Sequence, residues 1–156
     1  MFKKLKLYFD TSIFNFALAD DVPKEKEVTL KLFNEVKRGG YEVYISEVVI
    51  REVNRASREK AESLIGLINE IVTEELYVNE EMQDLAKRYI AERIIPERYE
   101  DDALHIAVAS VNNLDAIISW NFAHIVKLKT KKEVVGVNAI SGFKEIDIYS
   151  PWEVIE

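Results

Sequence analysis

Short apolar segments alternate along the chain with longer stretches in which apolar residues recur every three or four positions. The short segments predict strands near residues 5–9, 41–45, 76–78, 116–119 and 146–149. The longer stretches predict helices near residues 12–19, 24–38, 46–56 and 58–74, from Asn79 towards Pro96, and from Tyr99 to about residue 112. No repeat or long linker interrupts the alternation, so the sequence predicts one α/β domain over residues 1–156.

The helix near residues 24–38 has clear start and stop signals. Pro23 suits the first turn of a helix, and the pair Gly39-Gly40 suits its end. The apolar stripe between them consists of Val28, Leu32, Phe33 and Val36. This spacing predicts a helix that buries one side against a sheet.

The composition narrows the chemistry available to the protein. The chain has 48% hydrophobic residues, which suffices for a core without disulfides, and it has no cysteine. Thiol catalysis and thiolate zinc sites are therefore excluded, and the 2 histidines argue against a histidine-rich zinc site. The first apolar run is cut by Asp10 and is too short for a signal peptide or membrane span, so we expect a soluble cytoplasmic protein.

The net charge argues against a protein that binds nucleic acid non-specifically through its overall electrostatic field. Lys+Arg 21 against Asp+Glu 28 gives 21 − 28 = −7. A phosphate ligand therefore needs local positive charge, which divalent cations or basic clusters supply. Two clusters are candidates: Arg51, Arg55 and Arg58, and Lys127, Lys129, Lys131 and Lys132. The simpler interpretation is a solvated helix face for the arginines and a charged loop for the lysines.

Acidic residues stand at the ends of predicted elements. Asp10 directly follows the first strand and is succeeded by Thr11 and Ser12, which places a carboxylate and two hydroxyls where open α/β sheets build active sites. Asp102 lies in the first turn of a predicted helix, where free N–H groups favour an anion, and Glu52 lies on a helix just past the second strand. Acids that are distant in sequence but each at an element's end indicate a metal site.

Each acid also has a purely structural interpretation. Asp10 can cap the helix that follows it, Asp102 can be an ordinary acid at a helix start, and Glu52 can lie on a solvated face beside Arg51 and Arg55.

The neighbouring polar residues rank lower as catalytic candidates. Ser119 can hold a water or a phosphate oxygen, or can be an ordinary hydroxyl at a strand end. His105, three residues after Asp102, can in principle assist proton transfer, but a packed, hydrogen-bonded imidazole is the favoured interpretation. Second-rank or peripheral positions are Asp101, Asp115, Trp120 and His124.

Four segments in order resemble the PIN-domain family, most closely the VapC-type toxins of bacterial and archaeal toxin–antitoxin pairs. They are residues 7–12 (Leu-Tyr-Phe-Asp-Thr-Ser), 45–53 around Glu52, 102–107 (Asp-Ala-Leu-His-Ile-Ala) and 118–124 (Ile-Ser-Trp-Asn-Phe-Ala-His). The resemblance covers nearly the whole chain. Any one segment is weak evidence, whereas their order and spacing together are specific.

The resemblance implies a three-layer α/β/α sandwich with a mainly parallel sheet and a metal-dependent ribonuclease. In such an enzyme Asp10, Glu52 and Asp102 bind Mg²⁺ or Mn²⁺ and direct hydrolysis of an RNA phosphodiester, with support from Thr11, Ser12, Ser119 and Asn121. Hard divalent cations prefer oxygen ligands, which agrees with this donor set. The resemblance also implies a homodimer and an inhibitory antitoxin partner. Arg51 and Arg55 are candidate substrate contacts.

Asn121 departs from the pattern of the family. Many members carry a fourth acid there, whereas the amide contributes no charge, so three carboxylates would face as many as four positive charges if two ions bound. We therefore expect one firmly held ion and a second recruited by the scissile phosphate.

Two other classes of function remain as alternatives. A catalytically decayed PIN-like module that binds RNA or protein would retain the fold, and Asn121 is compatible with it. A phosphotransfer protein or phosphatase would also use an Asp after the first strand. Against this, Ser12 stands where a dehalogenase-like phosphatase carries its second Asp, and no lysine follows the late strand as a receiver domain requires.

Overall fold

The computed structural model describes residues 3–156, which form a sheet flanked by helices on both faces. Its strands are β1 (Leu5–Phe9), β2 (Tyr41–Ser46), β3 (Glu74–Leu76), β4 (Ala116–Ile118) and β5 (Asp147–Tyr149). Its helices are α1 (Thr11–Ala17), α2 (Pro23–Lys37), α3 (Glu47–Val53), α4 (Arg58–Ile71), α5 (Glu80–Ala91), α6 (Glu100–Val111), α7 (Leu128–Ser141) and α8 (Pro151–Val154). A 3₁₀ turn at Glu97–Tyr99 precedes α6.

All the strand pairs within residues 3–156 are parallel, and the strands lie in the order β3-β2-β1-β4-β5. The central strand β1 pairs with β2 on one side, with Leu7 opposite Val43, and with β4 on the other, with Phe9 opposite Ile118. Parallel neighbours need crossover connections, which the helices supply. The predicted three-layer α/β/α sandwich with a mainly parallel sheet is therefore confirmed.

The two faces of the sheet carry separate hydrophobic cores. Side chains alternate along β1, so Leu7 and Phe9 pack with α1, α2 and α4, whereas Tyr8 faces α5, α6 and α7. The second face is packed closely by α6, whose residues from Ala103 to Ser110 are all buried. Small alanines on α6 let that helix approach the sheet. The close packing fixes α6, and with it Asp102, relative to the strand ends.

Local signals account for several helix ends. Pro23 occupies the first turn of α2, and Gly39, with φ of +87°, follows its last residues in a left-handed conformation that suits glycine. Ser46 accepts a hydrogen bond from the backbone N–H of Val48 at 3.1 Å, and Asn79 accepts one from Met82 at 3.0 Å. Both side chains act as helix N-caps.

The predicted boundaries near residue 74 are wrong. Helix α4 ends at Ile71 rather than near 74, and β3 lies at Glu74–Leu76 rather than at 76–78. Pairing with β2 sets this register, because the backbone N–H of Thr73 donates to the carbonyl of Val43 at 2.8 Å. An edge strand tolerates two glutamates, since one side of it faces solvent.

Helix α7 is absent from the sequence prediction, which placed Lys127, Lys129, Lys131 and Lys132 in a charged loop. These lysines instead lie at the cap and in the first turns of the helix. Its buried stripe includes the polar residues Thr130 and Asn138 beside Val134 and Val137, so the apolar periodicity is interrupted. The short α8 was also not predicted.

Within residues 3–156, no helix has both the length and the apolar character needed to cross a membrane.

Candidate active site

The parallel sheet brings the carboxyl ends of its strands to one edge, and Asp10, Glu52 and Ser119 follow those ends. The strand order reverses direction between β1 and β4, which is the position where open α/β sheets leave a crevice for a ligand. Asp10 follows β1, and Ser119 follows β4 beside it. The backbone N–H of Asp10 donates to the carbonyl of Ile118 at 3.3 Å, so the two strand ends are held together.

The Asp10 carboxylate is buried between two hydroxyl donors. Its side chain accepts hydrogen bonds from Ser12 Oγ and from Ser119 Oγ, both at 2.5 Å, and the residue is only 3% exposed. Burial raises the pKa of Asp10 from 3.8 to about 6, because desolvation of the charged form outweighs His105's charge and the two hydroxyl donors. Asp10 precedes α1, but its side chain makes no capping bond to that helix. The carboxylate therefore faces the site rather than serving as a cap.

Glu52 reaches the site from α3, the helix that follows β2. Its Oε1 accepts a hydrogen bond from Thr11 Oγ1 at 2.7 Å and lies 2.6 Å from His105 Nε2. Burial raises the pKa of Glu52, but the hydrogen bond and the charge of His105 outweigh burial and hold the pKa below its ordinary value. Glu52 is therefore an oriented carboxylate and not a side chain on a solvated face.

His105 links Glu52 to a buried polar chain. Its Nδ1 lies 2.6 Å from the hydroxyl of Tyr8, which in turn lies 2.8 Å from Ser46 Oγ. Burial lowers the pKa of His105, but the hydrogen bond and charge of Glu52, together with Asp10 and Asp102, raise it above its ordinary value. The imidazole is 1% exposed and cannot touch a substrate, so it acts by holding Glu52.

Asp102 projects from the first turn of α6 and is held by two residues of the segment after β4. Its Oδ2 accepts a hydrogen bond from Asn121 Nδ2 at 3.1 Å and lies 3.0 Å from His124 Nδ1. Burial raises the pKa of Asp102, with smaller opposing effects from His105 and His124. Asn121 Oδ1 accepts the backbone N–H of His124 at 2.9 Å, which fixes the orientation of the amide.

The neighbouring acid, Asp101, faces away from these carboxylates towards two arginines. Arg51 and Arg55 donate to its two oxygens at 2.6 and 2.9 Å. Burial raises the pKa of Asp101, but the two guanidinium groups outweigh it and lower the pKa overall. Both guanidinium groups are thus paired, and a role for them in substrate binding requires that a phosphate share or displace Asp101.

The donor chemistry of the site fits a hard divalent cation, although the side chains do not form a finished ligand set. Within residues 3–156, no three Asp, Glu, His or Cys side chains are grouped closely enough to hold an ion as they stand. The hydrogen bonds described above reach Oε1 of Glu52 and Oδ2 of Asp102, which leaves the other oxygen of each for a cation. Carboxylate, amide and hydroxyl oxygens are the donors that Mg²⁺ and Mn²⁺ prefer.

Four residues make hydrogen bonds in or behind the site although the sequence analysis ranked them low or did not name them as site residues. They are Tyr8, Ser46, His105 and His124. The spacing of Asp102 and His105 on one helix was the available signal for His105. Tyr8 alternates with Leu7 and Phe9 and so faces the same side as α6, but nothing in the sequence identifies its partner. Asp115 accepts the backbone N–H of Lys6 at 2.7 Å and has a structural role.

The raised pKa of Asp10 predicts a pH-dependent stability difference between the metal-free protein and Asp10→Asn. Because the folded chain binds this proton more tightly than the unfolded chain, the stabilisation is complete below about pH 4 and is lost as the pH rises through about 6. A change in pKa from 3.8 to about 6 corresponds to about 3 kcal/mol, of which about half falls between pH 5 and 8.

Urea denaturation in EDTA at several pH values measures this difference. The free energy of unfolding of Asp10→Asn should rise relative to that of the wild type as the pH increases from 5 to 8. A difference that stays constant over this range would show that Asp10 titrates normally. Asp84→Asn, which changes an exposed acid on α5, is the matched control and should show no such trend.

The buried chain through His105 predicts a loss of stability in His105→Leu. The substitution replaces the imidazole with an apolar side chain of moderate size. It leaves the hydroxyl of Tyr8 and Oε1 of Glu52 each without one hydrogen-bond partner. We expect the free energy of unfolding at pH 7 to fall by about 1–3 kcal/mol in urea denaturation. His124→Leu, which changes the more accessible histidine, should cost less. Equal losses in the two variants would contradict a special role for the buried chain.

Comparison with known proteins places the chain in a family. Residues 7–122, most of the chain, match the family model for the PIN domain. The fold is similar to a chain in the crystal structure of VapBC2 from Rickettsia felis bound to a DNA fragment from their promoter. The TM-score is 0.59 at 12% sequence identity, and the likeness covers 94% of this chain and 98% of that chain. No curated protein sequence matches significantly. The family-model match over the segments that carry Asp10, Glu52 and Asp102 shows that the chain belongs to the PIN-domain family.

Proposed function

We propose that this chain is an endoribonuclease that depends on Mg²⁺ or Mn²⁺ and is the VapC-type toxin of a toxin–antitoxin pair. The observation that carries the proposal is that Asp10, Glu52 and Asp102 all lie at the carboxyl edge of the sheet, near the point where the strand order reverses. Proteins of the PIN family are generally nucleases, and typically use divalent metals. Likeness to a VapBC2 chain supports an antitoxin partner, and we further propose a cytoplasmic homodimer.

The three carboxylates would hold the cation, and each is oriented by its own donors. Ser12 and Ser119 fix Asp10, Thr11 and His105 fix Glu52, and Asn121 and His124 fix Asp102. A bound divalent cation supplies Lewis acidity towards a phosphodiester and lowers the pKa of water to a useful range. Such pairs of orienting donors reduce the reorganisation needed when a ligand arrives.

The protonation of Asp10 and the neutral side chain of Asn121 both affect how the site would bind cations. The pKa of Asp10 is about 6 in the cation-free chain, so near this pH the carboxylate must lose a proton before it binds a cation. Asn121 contributes an amide instead of a charge, and its oxygen already accepts the N–H of His124. These two features support one firmly held ion, with a second recruited by the scissile phosphate.

The alternative is a PIN-like module that binds RNA or protein without cleaving it. Asn121 favours this alternative, because an amide stands where many members of the family carry a fourth acid. Cation binding without turnover would be its signature.

Cleavage of a mixed RNA pool by the purified protein tests the proposal. With Mg²⁺ or Mn²⁺ the wild type should cleave, and EDTA should stop the reaction. Asp10→Asn, Glu52→Gln and Asp102→Asn should each lose more than about a hundredfold in rate, because each removes a charge that positions the cation and such charge stabilisation is worth several kcal/mol.

Two controls make the result specific. The variant Asp84→Asn changes an exposed acid on α5 and should cleave RNA like the wild type. All variants are purified in the same way, so a contaminating nuclease would give equal activity in every preparation. Cleavage that persists in Asp10→Asn or in EDTA would contradict the proposal. A calorimetric signal for Mn²⁺ binding without cleavage of any RNA would favour the non-catalytic module.

A further inference from the structure

A cleft opens at the amino-terminal edge of the sheet, at the opposite end of β1 from Asp10. Its wall includes Leu5 and Tyr41, the first residues of β1 and β2, which pair with each other. This amino-edge cleft has a volume of about 740 Å³, a size typical of small-molecule sites in proteins. Because a strand rises about 3.3 Å per residue, the cleft lies roughly 16 Å from Asp10.

Four basic side chains line the amino-edge cleft, although the chain as a whole has a net charge of −7. Lys3 and Lys4 precede β1, Lys31 lies in the middle of α2, and Arg38 follows the last residue of that helix. Within residues 3–156, Lys31 has only a loose ion pair, with Glu27 at 3.7 Å, and the other three have none. The carboxyl end of α2 favours a nearby cation, which accounts for Arg38 but not for Lys3 and Lys4.

The turn after α2 makes room for Lys4 at the wall of the cleft. Gly39 has a φ of +87°, and a Cβ at this position would stand 3.6 Å from Nζ of Lys4. The backbone N–H of Gly40 donates to the carbonyl of Glu35 at 3.0 Å, which closes the turn. The ammonium group of Lys4 therefore lies over the turn instead of extending away from the cleft.

A carboxylate with one unpaired oxygen stands among these basic side chains. Oε1 of Glu35, a half-buried residue of the cleft wall, accepts the backbone N–H of Glu156 at 2.9 Å. Oε2 of Glu35 is buried, and no donor within residues 3–156 reaches it. A buried polar atom of this kind normally has a water, an ion or a ligand group as its partner. The cleft therefore offers an acceptor for a hydroxyl or amino group beside cations that suit an anion.

A second cleft, of about 510 Å³, adjoins the first along the same edge and shares Leu5 and Tyr41 with it. Its acidic side chains outnumber its basic ones, with Asp115, Glu145, Asp147 and Glu153 against Lys144. Leu5, which is 50% exposed, and Tyr41 thus separate a basic half of the edge from an acidic half. A matching ligand has an anionic end, a flat apolar part and hydrogen-bond donors. Nucleotides combine all three in their phosphates, base, and hydroxyl or amino groups.

We propose that the amino-edge cleft binds a nucleoside triphosphate. Lys3, Lys4 and Arg38 contact the phosphates, whose oxygens form strong charge-assisted hydrogen bonds with such donors. The base lies across Leu5 and Tyr41, with its donors towards the acidic half of the edge. This inference does not depend on the proposed ribonuclease function, because the cleft and the candidate carboxylates lie at opposite ends of β1.

Isothermal titration calorimetry in metal-free buffer tests the site with ATP, GTP, inorganic triphosphate and adenosine. We expect both nucleotides to bind, and triphosphate to bind about tenfold more weakly because it lacks the base and the sugar donors. Adenosine, which lacks the phosphates, should bind more weakly than ATP. Equal affinity for triphosphate and the nucleotides would overturn the assignment of a nucleotide. Absence of binding by ATP and GTP would overturn the site.

A pair of double variants locates the phosphates. Lys4→Ala with Arg38→Ala should weaken ATP binding at least about tenfold, because two charged donors are lost. Lys24→Ala with Lys60→Ala removes the same charge from exposed positions of α2 and α4 outside both clefts, and should bind ATP like the wild type. Equal ATP affinity in the two double variants would place the nucleotide elsewhere and overturn the proposal.

The variant Glu35→Gln tests recognition of the nucleoside. It keeps the shape of the side chain but removes the charge of the acceptor, so the advantage of ATP over inorganic triphosphate should fall about fivefold. An equal change in affinity for both probes would show that Glu35 only repels phosphate and would overturn its role in recognition.

Binding and cleavage together separate this proposal from the ribonuclease function. Asp10→Asn and Asp102→Asn should bind ATP like the wild type, and a loss of ATP binding in either would place the nucleotide at the carboxylates and overturn the amino-edge site. RNA cleavage by a chain that binds no nucleotide would overturn the amino-edge site alone. ATP binding at this edge by a chain that cleaves no RNA would support the site and refute the ribonuclease.

Discussion

The burial of the Asp10 carboxylate is the constraint on which the rest of the site depends. The parallel sheet places this side chain at the junction of β1 and β4, where water is largely excluded and an unpaired charge is expensive. Two hydroxyl groups, from Ser12 and Ser119, offset only part of that cost, and the pKa of Asp10 stays raised at about 6. A cation at the same place would remove the remaining penalty, so burial and cation binding are coupled.

Glu52 differs from Asp10 and Asp102 because its surroundings differ. The imidazole of His105 lowers the pKa of Glu52, whereas burial raises that of Asp102. The proton affinity of Glu52 is thus lower than usual, whereas those of Asp10 and Asp102 are higher, although the three acids share one sheet edge. This difference lets Glu52 stay ionised in the cation-free chain at a pH near 6, where Asp10 is partly protonated. The buried contact from Ser46 through Tyr8 to His105 stabilises the ionised form of Glu52.

Much of the architecture was predictable because it depends on local patterns. Alternation in β1 and β2, the caps Ser46 and Asn79, and the positions of acids after strands are all local features. The contact of Tyr8 with His105 was not predictable, because it joins residues 97 positions apart that meet only after the helix α6 packs on the sheet. Helix α7 escaped prediction because buried Thr130 and Asn138 interrupt its apolar stripe.

The most direct test of the account is a crystal structure of the wild type grown with Mn²⁺, with the ion located by its anomalous scattering. The account predicts a peak at the carboxyl edge of the sheet that is coordinated by Asp10, Glu52 and Asp102 together, with the hydroxyls of Ser12 and Ser119 close by. A structure in which this position stays empty, or in which Mn²⁺ binds only exposed acids elsewhere, would contradict a shared cation site.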